Sequence, residues 1–589
     1  MTKKMENIYI LFFSLIICLT GYLIYIAVAA PQVPYMDTML FLVQIDQILK
    51  GEISWFDVYG ANVHRGLIYP VVTFIEWVLW GLDARITTIL TGFVVAAIFF
   101  YWLRAFLCSN NEKNTRQVSA LGALCIGVFS AIIASSPAAF ELWTLDLGFA
   151  QLLKNLLIVV FLFHVAAKKQ WTKNAGNALL CGALGGFLIL FATYGWSYPF
   201  FAATFFGLVA SSLKARENRK NAVIVFAMLL IAQVIYIYSG SEVFSNSESI
   251  NRDNFSITGL LGAVFYGAGT AFIGGEVVTK LGIPLFVPII LGGLIVVVGL
   301  FAILVALVEQ SPSKIFLGSL LVFSFTVLAG VAVARGGVDF TRAGASRYFV
   351  DFIWLLLSPL AILLTTNTHT IASQYKFIND LPLVTVLRMS KMAIAGLFVC
   401  ATLGHLATWV VEFKTAPYRA MAFEKMALVY RSGVVSKADA ALLQSPYATS
   451  KKGIEVAQFY NLAILRHDKL GCSLSSAAYA GDWYPAEQNS TRWLKQEGTI
   501  TVNKCPVNLS IRGYIPEAFG RKTMTVFYGQ QQKVVRVEPG KEFSIRLDDI
   551  TQGRMISIRL HVDTTTIPSL NGLNADSREL GILLTYVGE

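Results

Sequence analysis

Asp37 is the residue of this 589-residue chain best placed to take a proton. It is the first carboxylate after an apolar run at 8–29 that is long enough to cross a bilayer. A carboxylate held where a helix leaves the membrane can meet a lipid-borne and a water-borne reactant together. A second set of residues has the chemistry to receive an anion. Arg335, Arg342 and Arg347 stand in the segment Arg335-Gly336-Gly337-Val338-Asp339-Phe340-Thr341-Arg342-Ala343-Gly344-Ala345-Ser346-Arg347-Tyr348. Glycines let backbone N–H groups approach an anion, and a planar guanidinium grips phosphate through two parallel hydrogen bonds. His64 and Arg65 are the next cations for that task. Glu141 and Asp146 lie among apolar residues between two hydrophobic runs. Acids so placed mark function where they face a cavity, and otherwise are solvated loop residues.

The elements that must hold these groups follow from composition. The chain is 55% hydrophobic and 14% charged, with a mean hydropathy of +0.61. Soluble domains carry roughly 25% charged residues. The pattern predicts a polytopic α-helical membrane protein with about eleven spans, near 8–29, 85–106, 117–137, 149–167, 177–193, 198–213, 221–239, 282–307, 315–334, 349–365 and 390–410. The apolar residues 66–81 and 257–273 are read as helices at the outer interface or dipping partway in. The net charge of +11 gathers in short loops, such as Lys168, Lys169 and Lys173, or Arg219 and Lys220. Basic loops belong on the cytoplasmic side, which places the N-terminus inside and the C-terminus outside. Arg335, Arg342 and Arg347 then break the positive-inside rule. No aromatic platforms interleave the basic clusters, so nothing points to nucleic acid. No metal-ligand spacing, phosphate-binding Walker loop, dinucleotide fingerprint or serine-nucleophile elbow stands out either.

Around Asp37 the composition is helical up to Leu49, with Gly51 as the stop. At about 100° per residue Gln44 shares the Asp37 face and Asp46 lies nearly opposite. Asp37 also stands where a carboxylate caps a helix. Beyond the spans, 413–480 reads as a helical connector and 481–589 as a domain of short alternating strands. Six or more such strands, near 499–503, 508–512, 523–528, 533–537, 543–547 and 555–562, imply a β-sandwich. Cys472 and Cys505, both in the outward-facing tail, are disulfide candidates.

Residues 1–412 resemble the GT-C class of membrane glycosyltransferases, which use polyprenyl-phosphate sugars. The matching pieces are Asp37, Lys50-Gly51-Glu52-Ile53-Ser54-Trp55, His64-Arg65-Gly66-Leu67 and Gly81-Leu82-Asp83-Ala84-Arg85. Those relatives usually carry Asp-Glu at the acid and Lys-Pro-Pro after the turn, where this chain has Asp37-Thr38 and His64-Arg65-Gly66. The tail resembles a domain attached to bacterial glycosyltransferases. Its opening is Gly481-Asp482-Trp483-Tyr484-Pro485-Ala486-Glu487 with Arg492-Trp493, and its close is Asp576-Ser577-Arg578-Glu579-Leu580-Gly581.

The resemblance implies an inverting hexosyl transfer in the bacterial inner membrane, with the C-terminal domain in the periplasm. General organisation is similar to the serotype-converting O-antigen glucosyltransferases. Asp37 would be the general base, and Arg335, Arg342, Arg347, Tyr348, His64 and Arg65 would hold the donor phosphate. Glu141, Asp146, Trp483 and Trp493 would contact the glycan acceptor. It implies no nucleotide cofactor, leaves a divalent metal open, and implies partner proteins that make and flip the donor. Two other readings stay open. One is a transporter or flippase of a lipid-linked glycan, though no internal repeat is evident. The other is a non-catalytic glycan-assembly subunit.

Overall fold

The computed structural model describes residues 3–61, 65–111, 118–213, 218–239, 256–335, 339–367, 382–466, 473–474, 477–487, 491–502, 509–528, 531–548, 556–573 and 575–588. His64, Cys472 and Cys505 lie outside the described residues, as does the side chain of Arg335. The chain forms two compact units. The first comprises Met1–Pro31, Gln47–Ile75 and Arg85–Ala420; the second comprises Gln32–Asp46, Glu76–Ala84 and Met421–Glu589. The connector and the strand region thus fall in one unit, together with two N-terminal segments.

Among the described residues, ten helices are long and apolar enough to cross a membrane. They are built from α1 (Lys3–Ala29), α5 (Ala84–Asn110), α6 (Ala120–Ala134) with α7 (Phe140–Thr144), α8 (Leu147–Phe163), α9 (Ala175–Phe187), α11 (Arg219–Tyr238), α14 (Phe286–Glu309), α15 (Pro312–Arg335), α16 (Phe349–Phe352) with α17 (Trp354–Thr365), and α18 (Pro382–Ser432). The expected span at 198–213 is α10 (Ser197–Ser212), only 16 residues. At 1.5 Å per residue it is roughly 24 Å long, shorter than the hydrocarbon core.

Register nevertheless supports α10 as a crossing. Gly182 of α9 lies against Val225 and Met228 of α11, and Gly186 against Ala232, so α9 and α11 run parallel. Their close approach favours glycine, because a Cβ on Gly182 would sit 2.7 Å from Met228 Cβ. A chain joining two parallel neighbours must return between them, and α10 is the return.

The same reasoning keeps α4 (Ile68–Trp80) from being a crossing. The Tyr22 hydroxyl donates to the Thr88 carbonyl at 2.8 Å, while Phe12 shares a groove with Phe100, so α1 and α5 are antiparallel. A full crossing by α4 would make them parallel. α12 (Ile257–Gly269) is likewise a 13-residue helix. It is folded back on the start of α14, with Gly269 against Pro288 and Gly292 against Phe265. Counted this way the described residues make eleven candidate passes, and the start of α1 defines one end of the helical unit. At that end Ser109 and Thr365 share a hydrogen bond of 2.8 Å, and Lys314 pairs with Glu309 and Thr366. The far end is where α1 finishes. There α7, the start of α8, α13 (Gly275–Lys280) and residues 339–348 meet.

The second unit contains α19 (Lys437–Leu442), α20 (Tyr447–Phe459) and eight strands. The strands are β1 (Ala478–Trp483), β2 (Arg492–Val502), β3 (Leu509–Tyr514), β4 (Lys522–Tyr528), β5 (Gln531–Val537), β6 (Glu542–Leu547), β7 (Ile556–Val562) and β8 (Ile582–Gly588). They form one antiparallel path, β5-β4-β7-β2-β8-β3-β6, with β1 added to β2. The expected β-sandwich thus takes the form of one continuous antiparallel path. The reason lies in β2, which is 11 residues long. Its first three residues pair with β8 and residues 497–502 with β7, so one strand carries the hydrogen bonding from layer to layer. The path curls over a single core that includes Leu494, Ile511, Val526, Ile545, Leu560 and Leu584. Its two edge strands meet where Lys533 of β5 donates to the Arg546 carbonyl of β6 at 3.0 Å.

Candidate active site

The far end of the helical unit assembles its polar groups from short elements. Asp339 opens a 3-10 turn, Phe340–Gly344, by accepting from the Thr341 backbone N–H at 2.9 Å and the Thr341 hydroxyl at 2.7 Å. Those bonds, the hydroxyl's foremost, hold the Asp339 carboxyl below the usual carboxylate range. The chain then passes Gly344, whose Cβ position would be 2.6 Å from both Thr270 Cγ2 and Tyr266 Cε1. A second 3-10 turn, Ser346–Tyr348, runs directly into α16.

Glu141 of α7 meets this turn. Its Oε1 is 3.6 Å from Arg347 Nη1, and its Oε2 accepts from the Ser346 hydroxyl at 2.9 Å. Glu141 therefore holds Arg347 in place in this structure rather than standing open as an acceptor contact. Arg347 keeps 41% of its side chain exposed, while its buried Nε has no hydrogen-bond partner among the described residues. Its guanidinium carbon lies 5.6 Å from the Tyr348 ring centre. Arg342 is exposed on the same stretch.

Other expected residues sit differently. Arg65 is buried and donates to the carbonyls of Tyr236 and Ile237, the latter at 3.2 Å. It satisfies the carbonyls at the end of α11, which removes it as an anion receiver. Asp146 is 2% exposed at the start of α8, which leaves its carboxylate no open face for an acceptor.

In the second unit Asp37 stands just before α2 (Thr38–Leu49), its carbonyl accepting from the Phe41 N–H at 3.1 Å. Its side chain is exposed, and no hydrogen bond from a described residue reaches the carboxylate. Met36 turns the chain there with φ +59°, and its N–H donates to the Leu443 carbonyl at 2.8 Å. Asp46 is the opposite case: it is buried and accepts from the Tyr460 hydroxyl at 3.2 Å. Gln44 is buried as well.

The aromatic residues of the strand region serve its architecture. Trp493 is 7% exposed and packs at 5.8 Å from Phe519, which corrects its reading as a sugar platform. Trp483 packs at 5.2 Å from Tyr479, against the core. The opening and closing motifs clasp one another. Arg578 binds Asp576 at 2.7 Å and Glu487 at 2.9 Å, Lys495 binds Glu579 at 2.7 Å, and the Tyr484 hydroxyl donates to the Glu579 carbonyl at 3.3 Å.

No protein-family model matches the chain, and no curated protein matches it. A solved structure that is similar is the archaeal oligosaccharyltransferase AglB from Archaeoglobus fulgidus, in complex with an inhibitory peptide and a dolichol-phosphate. The TM-score is 0.38 at 12% identity, over 75% of this chain and 60% of that one. This chain thus spans under two thirds of that protein's length.

One cluster was not singled out from the sequence. Lys154 of α8 and Asp351 of α16 are both fully buried within membrane-crossing helices. Lys154 Nζ donates to Gln151 Oε1 at 3.0 Å and lies 5.1 Å from the Trp196 ring centre. The Tyr69 hydroxyl reaches the same Gln151 oxygen, and Tyr69 stacks on Tyr194 with centroids 4.0 Å apart. Asn155 Nδ2 donates to Asp351 Oδ1 at 2.9 Å, and Ser324 donates to the Asp351 carbonyl. The signal was present: a lysine and an aspartate inside apolar runs are costly and mark function by default. Among the described residues no group of three or more His, Cys, Asp or Glu is arranged to hold a metal ion.

Proposed function

We propose that this chain is an inverting glycosyltransferase of the GT-C class in the bacterial inner membrane. It moves a hexose from a polyprenyl phosphate to a surface glycan, such as lipid-linked O-antigen, on the periplasmic face. The observation that carries the reading is the Asp37 carboxylate, exposed and unengaged by any described residue directly after the first membrane helix. In the reaction Asp37 accepts the proton of an acceptor hydroxyl as that oxygen attacks the anomeric carbon. The bond from that carbon to the phosphate oxygen breaks, and the polyprenyl phosphate leaves with the electron pair. Arg347 and Arg342 stabilise the anion that forms. With eleven passes the two ends of the helical unit would face opposite sides of the membrane. The end where α1 starts collects Lys314 and Lys391, which supports its assignment to the cytoplasm.

The test is transfer of radiolabelled hexose from its polyprenyl phosphate to lipid-linked O-antigen by the purified protein. Asp37→Asn should lower turnover by roughly 10²–10⁴-fold without changing membrane insertion. Near-normal transfer by that variant would remove Asp37 as the base. A periplasm-dependent reporter fused after Glu589 should be active; activity of a cytoplasm-dependent one instead would invert the orientation.

A further inference from the structure

The Lys154 cluster contains more hydrogen-bonding capacity than the protein uses. An ammonium group has three donors, and among the described residues Lys154 Nζ makes one hydrogen bond. Asp351 Oδ2 and Asn155 Oδ1 are buried acceptors without a donor, and Trp196 Nε1 is a buried donor without an acceptor. The Trp196 indole N–H faces Asp351 but does not close a hydrogen bond to it. Buried polar groups are nearly always satisfied, and in a membrane interior the cost of leaving them open is high. Here donors and acceptors are left open side by side.

We infer that Lys154, Asn155, Asp351 and Trp196 form a recognition pocket for the hydroxyl groups of a lipid-linked sugar. The unmatched groups select that chemistry. A phosphate offers only acceptors, and would bring an anion against Asp351. A sugar hydroxyl accepts and donates at once, so one hydroxyl bridges Trp196 Nε1 to Asp351 Oδ2, and a second accepts from Lys154 and donates to Asn155 Oδ1. The pocket joins the far end through aromatic contacts. The Trp196 ring is 6.5 Å from that of Tyr348, which adjoins Arg347. Asp351 follows Arg347 by four residues, one helical turn or roughly 6 Å deeper. A phosphate on Arg347 would place an attached sugar against the unmatched atoms. This inference rests on the proposed donor, and it makes these four residues specificity determinants for the sugar.

The experiment measures binding of decaprenyl phosphate and of decaprenyl-phosphate glucose, galactose and mannose to the purified full-length protein. The parent should bind one sugar-bearing lipid more tightly than the sugar-free lipid. Trp196→Phe removes one N–H while keeping the ring, and Asp351→Asn keeps the shape of the side chain. Each should weaken the preferred sugar lipid roughly tenfold, equivalent to one lost hydrogen bond, and leave the sugar-free lipid unchanged. Discrimination among the three hexoses should narrow accordingly. Should Asp351→Asn fail to fold, Trp196→Phe decides. Equal weakening for both lipid types would mean a structural role, and unchanged binding of all lipids by the variants would mean a pocket filled by water; either result overturns the inference. A parent that binds sugar-free decaprenyl phosphate but prefers no sugar overturns the pocket alone. A parent that binds none of the four lipids overturns the donor assignment and the pocket with it.

Discussion

Replacing Arg347 by alanine should separate donor binding from stability. The side chain is 41% exposed and its contact with Glu141 is 3.6 Å, so the pair is near solvent. Pairs of that kind contribute about 0–1 kcal/mol net. Removing Arg347 does not strand Glu141, because Oε2 keeps the Ser346 hydroxyl at 2.9 Å. The stability loss is therefore below about 1 kcal/mol, a melting shift of less than about 2 °C for a chain of this size. Binding should respond more strongly. Two charge-assisted hydrogen bonds to a phosphate are worth about 3 kcal/mol together. The donor must displace Glu141 from the guanidinium, which takes back up to about 1 kcal/mol. The remaining ~2 kcal/mol corresponds to roughly 30-fold weaker binding. Lysine at this position should restore part of it, lacking the planar fork. The assay pairs equilibrium binding of a polyprenyl-phosphate hexose with a thermal melt in the same detergent. Binding at the parent's affinity by Arg347→Ala refutes the phosphate assignment. Weakened binding accompanied by a melting drop of many degrees refutes the separation argued here.

Three further outcomes are expected. Asp46→Asn should lower the melting temperature more than the turnover, since Asp46 is buried against the Tyr460 hydroxyl at 3.2 Å; a loss of turnover equal to that of Asp37→Asn at unchanged stability would contradict this. Gly344→Ala must displace Tyr266 or Thr270, whose atoms lie 2.6 Å from the new Cβ, at a cost of about 1–3 kcal/mol. It should lower the melting point and weaken donor binding by moving the turn that carries Arg347, and parent-like values of both would refute the close packing. The clasp around Arg578 should open in acid. Hydrogen bonds from Arg578 hold the Asp576 carboxyl low, and a hydrogen bond from Lys495 does the same for Glu579. Groups with a depressed folded pKa contribute stability above their unfolded values of about 4, and that stability is lost as pH falls through the folded values. Hydrogen exchange of the peptide 575–583, corrected for intrinsic rate, should therefore accelerate below pH ~4 in the parent, and already at neutral pH in Arg578→Gln.

Much of the helical architecture was legible because lipid leaves a chain few choices. Long apolar runs marked where the long helices lie, and the two runs set apart from the spans form the 13-residue helices α4 and α12. The strands alternate cleanly enough to be read from β2 to β7. β1 and β8 escaped because Gly481 interrupts one and the other begins with three consecutive apolar residues, Ile582-Leu583-Leu584. Site residues were harder for a specific reason. Residue type shows what Arg65 or Trp493 can do, but not what already occupies it. Arg65 is taken by the last carbonyls of α11 and Trp493 by packing on Phe519. Glu141 and Arg347 lie 206 positions apart, and no local pattern joins them. Lys154 and Asp351 could have been found by asking why a charge stands inside an apolar run.

The membership of residues 32–46 in the second unit has a consequence for how the protein is made. Tyr430 donates to the Pro34 carbonyl at 2.8 Å, Gly453 packs on Met39, and the Ala463 N–H reaches the Gly81 carbonyl at 2.6 Å. The two sides of the first of these contacts are 396 positions apart. At about 5–20 residues per second, the ribosome supplies the second side roughly 20–80 s after the first. Throughout that interval the apolar face of α2, with Met39, Phe41, Leu42 and Ile45, waits without its final neighbours. The segment bearing Asp37 is thus among the first parts translated and among the last to reach its native setting. A nascent chain halted before Tyr430 would hold every membrane helix and still lack an ordered Asp37.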